Sequence, residues 1–115
     1  MSARPSATQA ADEDATVALR RGSIYLSAEL YERHFASLEA VVLLRREDAL
    51  LIMPVRHLPG GGHLMKRRNS HGDRVINALD FFMDNGLDPE AERELLASWS
   101  TDDAALRVHL PSIAN

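Results

Sequence analysis

The sequence contains no cysteine and no long apolar run, and each absence excludes a class of protein. Without cysteine there is no disulfide framework, no thiolate metal site and no thiol nucleophile. No stretch approaches the roughly 20 apolar residues that a membrane-spanning helix requires. The N-terminus also lacks a basic region followed by an apolar segment, which a secretory signal peptide would have. We therefore expect a cytoplasmic protein without membrane insertion.

The length of 115 residues is that of one domain with a modest core. Residues 1–15 are small and polar, end in an acidic run and lack apolar periodicity. Such composition predicts a disordered N-terminal tail over 1–15. We expect a single domain over 16–110 and a short C-terminal tail over 111–115.

A central β-hairpin is predicted over about 40–55. Two apolar runs, at 41–44 and 50–53, flank a charged segment at 45–48, as in two short strands joined by an exposed turn. Neither run alternates apolar with polar residues, which is typical of strands that are covered on both faces. A chain of this length has little else to cover them, so the pattern predicts a homodimer.

The remaining periodicities predict helices around this hairpin. Ser27 stands at an N-cap position before a helix over about 28–37, which we expect to cover the hairpin. Gly72 favours a turn within a second hairpin over about 63–77. Two short C-terminal helices are predicted, one ending at Gly86 and the other beginning at Pro89. These elements indicate a small mixed domain of the α+β class.

Charge is divided along the chain, although the net charge is only −4. Five cations and one anion lie in 56–74, whereas eight acids and one base lie in 78–105. A basic segment suits a nucleic acid or an acidic partner, while the acidic segment disfavours non-specific coating of DNA. In the alternative interpretation the two segments neutralise each other, within one chain or across a dimer.

No group of residues has the spacing of a known catalytic or metal site. The triple glycine at 60–62 is not followed by the Gly-Lys-Ser/Thr ending of a phosphate loop. Ser70, His71 and Asp73 crowd into one turn, where their side chains would diverge and where turn chemistry explains all three. The five histidines are not spaced as metal ligands. We therefore predict no enzyme activity, no catalytic residue, no metal and no cofactor.

Arginine is the residue type that points to a binding function. All but one of the 13 cations are arginine, and three doublets occur, at 20–21, 45–46 and 67–68. The guanidinium group makes paired hydrogen bonds to phosphates, guanine edges and carboxylates. The alternative is that these arginines are ordinary solvated surface.

Part of the chain resembles a family of transcription factors. Gly22 to Leu30, Gly-Ser-Ile-Tyr-Leu-Ser-Ala-Glu-Leu, resembles the Gly-x-Ile-x-Ile-Pro-x-Glu-Leu segment of the AbrB and MraZ type of swapped-hairpin factors. The segments 41–45 and 49–54 resemble the later strand pair of that fold, so the resemblance covers about 16–55. It implies that two chains interlace their hairpins into one barrel and present basic loop residues to DNA. Ser27 stands where the family has proline.

Two functions are expected from these patterns. The leading one is a small cytoplasmic DNA-binding transcriptional regulator that acts as a dimer. In it Arg20 and Arg21 contact DNA, as the resemblance implies, together with Arg45 and Arg46 from the second doublet. The alternative is a non-enzymatic accessory or adaptor protein that docks an acidic surface of a larger protein through its basic hairpin. The hairpin residues of that hypothesis are Lys66, Arg67, Arg68 and Arg74.

Overall fold

The computed structural model describes residues 15–111, in which nine strands form one antiparallel sheet and two helices are short. The strands are β1 Ala15–Arg20, β2 Ser23–Leu26, β3 Ala40–Arg46, β4 Ala49–Val55, β5 His63–Leu64, β6 Lys66–Arg67, β7 Arg74–Asn77, β8 Glu92–Ser100 and β9 Ala105–His109. The helices are α1 Ala28–His34 and α2 Leu79–Asp84. In the sheet, four of the eight strand pairings join strands that are neighbours in sequence, and the other four join strands that are distant.

The sheet curls until its two ends almost meet. Its strand order is β5-β3-β4-β9-β8-β1-β2-β7-β6, so the two-residue strands β5 and β6 lie at opposite ends. Only Met65 separates these strands in sequence, and its amide donates a hydrogen bond to the carbonyl of Glu39 at 2.8 Å. The side chain of Met65 is only 3% exposed. One chain thus forms a nearly closed barrel.

The barrel interior is filled by every second residue of the long strands. Leu50 and Ile52 of β4 face inward with Leu106 and Val108 of β9, and all four are fully buried. This spacing follows from the two-residue period of a strand, which places alternate side chains on opposite faces.

The two helices close the ends of the barrel. Between β2 and β3, α1 buries Leu30 and Tyr31, and its N-cap is Ser27, whose hydroxyl accepts a hydrogen bond from the Leu30 amide at 3.1 Å. Between β7 and β8, α2 buries Phe81 and Phe82. Each helix therefore contributes large apolar side chains to the core from one end.

The turn between β1 and β2 is fixed by Gly22. Its φ of +84° is a conformation that residues with a side chain rarely adopt. A Cβ atom there would also lie 2.8 Å from Leu79 Cδ1. The missing side chain lets α2 begin directly against the turn.

The prediction of an α+β domain is wrong, because β8 occupies the position of the last predicted helix. The apolar residues of this stretch fit a helical face, but Leu95 and Trp99 pack towards the core while Leu96 is 59% exposed. The backbone pairs with β1 on one side and β9 on the other. These long-range pairings override the local helical pattern, as tertiary context often does.

The other predicted elements agree with the structure to different extents. β3 and β4 pair from Ala40 with Val55 to Arg46 with Ala49, which is the hairpin expected over 40–55. The expected covering helix ends at His34, and α1 closes a barrel end instead of lying over that hairpin. Of the hairpin expected over 63–77, only two residue pairs join β6 to β7. The tails expected over 1–15 and 111–115 lie outside the described residues, except for Ala15, which begins β1, and Pro111.

The barrel itself covers the apolar strands from which a dimer was predicted. Leu51, on the outer face of β4, is fully buried and pairs with Arg107 of β9. The Arg107 guanidinium lies 3.9 Å from Asp48 and 4.0 Å from Asp103. A second chain is not required to cover Leu51, and the homodimer stays a prediction. Neither helix of the described region is long and apolar enough to cross a membrane.

Candidate binding surface

The four arginines predicted to contact DNA lie on two separate parts of the barrel. Arg20 and Arg21 end β1 and begin its turn, whereas Arg45 and Arg46 end β3. In the sheet order, β4, β9 and β8 separate β3 from β1, and β2, β7 and the closing strands separate them in the other direction. The structure therefore does not bring the two doublets together.

Three of these arginines also have partners within the chain. Arg21 Nε lies 3.3 Å from a carboxylate oxygen of Glu92, and Arg46 Nη1 lies 3.2 Å from Asp103. Arg45 Nη1 donates a hydrogen bond to the carbonyl of Asn85 at 2.7 Å. The ion pair of Arg21 is solvent-exposed, so it stabilises the fold little.

The guanidinium groups of Arg20 and Arg68 both lie near the ring of Tyr25 instead. The Arg20 guanidinium carbon lies 5.5 Å from the ring centroid and that of Arg68 lies 4.8 Å from it. Tyr25 faces outward on β2, because its neighbours Ile24 and Leu26 face the core. Both distances allow attraction between a cation and the negative face of an aromatic ring.

These three side chains line a groove on the outside of the barrel. The groove has a volume of about 260 Å³. We call it the tyrosine groove, and its lining residues are Thr16, Ala18, Arg20, Tyr25, Leu26, Ser27, Arg68, Asp73 and Glu94. It joins one residue from the predicted DNA-binding set to one from the predicted adaptor set.

The loop that carries Arg68 is held by hydrogen bonds of its own. Asn69 Oδ1 accepts hydrogen bonds from the amides of His71, Gly72 and Asp73, at 3.0 to 3.1 Å. The Arg68 amide donates to the carbonyl of Asp73 at 2.8 Å. This network fixes the loop before any ligand arrives, which reduces the conformational entropy lost on binding.

Asp73 connects this loop to α1. Its Oδ1 accepts a hydrogen bond from the Ala28 amide at 2.8 Å, and its Oδ2 accepts one from Asn69 Nδ2 at 3.0 Å. Hydrogen bonds from Asn69 first, and then from Ala28, lower the pKa of the Asp73 carboxyl below its ordinary value. The carboxylate form thus holds the loop to the start of the helix.

Replacing Asn69 with alanine is expected to raise the pKa of Asp73 towards its ordinary value. Because the folded-state pKa is lowered, the contribution of Asp73 to stability is present above its ordinary pKa of 3.8 and is lost as the pH falls through the folded value. Carbon-detected NMR titration of the side-chain carboxyl measures this change. Asp80 is the internal control, since its pKa is lowered by His63 and should not move in the variant.

The rest of the predicted adaptor set lies outside the groove. Lys66 and Arg67 are exposed on β6, and Arg67 donates hydrogen bonds to the carbonyls of Asn69 and Ser70. The Arg74 guanidinium packs 3.9 Å from the ring centroid of Tyr31. Arg67 stabilises the loop through these hydrogen bonds. Of this set, only Arg68 lines the groove.

The sequence interpretation missed Tyr25. The alternation of 23–26 places this ring on the opposite face from Ile24 and Leu26, which was the available signal for an exposed aromatic beside Arg20. Glu94 was also missed, because its strand was interpreted as a helix. Within 15–111 there is no group of three or more histidine or acidic side chains that could hold a metal ion.

Comparisons with known proteins assign no family. No protein-family model, curated protein or solved structure matches this chain. The resemblance of 16–55 to the AbrB and MraZ type of factor therefore stays a prediction. In the structure, the strands of that region pair within one chain, β1 with β2 and β8, and β3 with β4 and β5.

Proposed function

We propose that the chain is a non-enzymatic accessory protein that binds an acidic segment of a larger protein in the tyrosine groove. The observation that carries this proposal is an outward-facing tyrosine approached by two guanidinium groups from separate parts of the chain. Tyrosine and arginine are enriched among the residues that dominate binding energy at protein interfaces.

The chemistry of the groove suits a carboxylate. Each guanidinium group can donate two parallel hydrogen bonds to a carboxylate, and the Tyr25 ring supplies apolar contact beside them. Both carboxylate oxygens of Asp73 already accept hydrogen bonds, from the Ala28 amide and from Asn69 Nδ2, so this acid is engaged in holding the loop. Glu94, which also lines the groove, is available to accept amide hydrogen bonds from an extended ligand. An acidic peptide segment offers carboxylates to the two guanidinium groups, apolar contact to the Tyr25 ring and backbone amides to Glu94.

The DNA-binding hypothesis has weaker geometric support. Its arginines lie on separate parts of the barrel, so they do not form one surface that follows a DNA backbone. A regulator of this kind stays a prediction, and the following experiment separates it from the accessory protein.

The experiment is an NMR titration of isotope-labelled protein with three probes. They are a hexapeptide of alternating glutamate and alanine, the same peptide with glutamine in place of glutamate, and a short DNA duplex. The acidic peptide is expected to shift the signals of Tyr25 and the Arg68 Nε group, while the glutamine peptide leaves them unchanged. Saturable shifts with DNA alone, at Arg20, Arg21, Arg45 and Arg46, would overturn the proposal and support the regulator.

A further inference from the structure

Two strands end their inward-facing rows with arginine at the same end of the barrel. On β3 the row of Val41 and Leu43 continues with Arg45. On β8 the row that contains Leu95 ends with Arg93, which pairs with the buried Leu19 of β1. Both cations therefore occupy register positions that are apolar elsewhere in the barrel.

These two arginines flank a small apolar cavity beneath α2. Its volume is about 180 Å³. Arg45 and Arg93 line it together with seven apolar side chains, which are Leu19, Phe82, Leu87, Ala91, Leu95, Leu110 and Pro111. The cavity is separate from the tyrosine groove, with which it shares no lining residue.

Both guanidinium groups have N–H donors that are not used in contacts within residues 15–111. Arg45 is positioned by hydrogen bonds from Nε to the Glu47 carbonyl and from Nη1 to the Asn85 carbonyl, which leave Nη2 uncommitted within 15–111. The Arg93 guanidinium makes no hydrogen bond or ion pair with the described part of the chain. Asp88, the acid among the lining residues, accepts a hydrogen bond from the Glu90 amide in its own turn. The formal charge around the cavity is thus positive.

We propose that this cavity binds a small monocarboxylate with an aromatic or branched apolar body. The carboxylate accepts hydrogen bonds from Arg45 and Arg93, and the apolar body contacts the leucine side chains and Phe82. The size is suitable, because an apolar cavity of roughly 150 Å³ holds a benzene ring. Benzoate has this ring and one carboxylate, which makes it the simplest probe of the class.

The test compares benzoate with benzyl alcohol, which has a similar shape and no charge. NMR titrations that follow the methyl signals of Leu95 and Leu110 measure both affinities. Benzoate is expected to bind at least about tenfold more tightly, because hydrogen bonds to charged groups are stronger than neutral ones. Arg93→Gln should remove about tenfold of benzoate affinity and leave that of benzyl alcohol unchanged. Arg56→Gln is the control, since Arg56 is exposed and does not line the cavity.

Three results would overturn the proposal. They are no saturable methyl shift with benzoate in the full chain, equal affinities for the two probes, and benzoate binding that survives Arg93→Gln unchanged. The first of these results includes the case in which benzoate binds only to a variant ending at Pro111, because the cavity would then be closed to ligands in the full chain. Tyr25→Ala should leave benzoate binding intact, so failure here and failure of the groove proposal are distinguishable.

Discussion

Replacing Ile52 with aspartate is expected to unfold the chain. Ile52 is fully buried on the inner face of β4, opposite Leu43 of β3 and Leu106 of β9. An unpaired charge in such a position costs about 3–5 kcal/mol, and the apolar contacts of isoleucine are lost in addition. Small domains have a total stability of roughly 5–15 kcal/mol. Circular dichroism during thermal denaturation, together with size-exclusion chromatography, measures the loss.

Leu44→Asp is the matched control for this change. Leu44 lies one residue beyond Leu43 on the same hairpin, but it is 38% exposed and faces outward. The Leu44→Asp variant should fold with a stability within about 1 kcal/mol of the unmodified chain. Unfolding of the control as severe as that of Ile52→Asp would contradict the self-contained barrel, because it would show that a second chain buries the outer face.

Reversing both groove arginines, Arg20→Glu with Arg68→Glu, is expected to weaken acidic peptide binding at least about a hundredfold, because like charges then face each other across the interface. Both side chains are exposed, so the double variant should fold. Isothermal titration with the glutamate and alanine hexapeptide measures the affinity.

A control with the same change in net charge isolates the groove. Arg46→Glu with Arg56→Glu alters two exposed cations that do not line it. This variant should retain peptide affinity within about threefold, since distant surface charges are largely screened at physiological salt. Equal losses in the two double variants would show that net charge, and not the groove, governs binding.

Local patterns identified the elements that depend on neighbouring residues. The charged segment between two apolar runs predicted β3 and β4, because a hairpin pairs residues close in sequence. Ser27 marked the start of α1 for a similar reason, since a cap satisfies amides within the same turn. The nearly closed barrel depends instead on pairing β1 with β8 and β4 with β9, which no local pattern encodes.

The tyrosine groove was predictable only in part, because its residues come from segments that are distant in sequence. The sequence predicts both Arg20 and Arg68 as binding residues, but for different functions, because nothing local shows that both guanidinium groups approach Tyr25. The sequence predicts Arg45 as part of an exposed turn, whereas its register in β3 places it beside the cavity under α2. Strand order, which sequence periodicity does not specify, determines all of these positions.

The affinity of Tyr25→Ala and Tyr25→Phe for the glutamate and alanine hexapeptide tests the groove most directly. Tyr25 is half-buried on the outer face of β2, so neither variant should lower the melting temperature by more than a few degrees. Tyr25→Ala is expected to lose about thirtyfold in affinity, as interface hot spots do, whereas Tyr25→Phe keeps the ring and should remain within about threefold. Unchanged affinity in Tyr25→Ala would contradict the assignment of the tyrosine groove as the binding site.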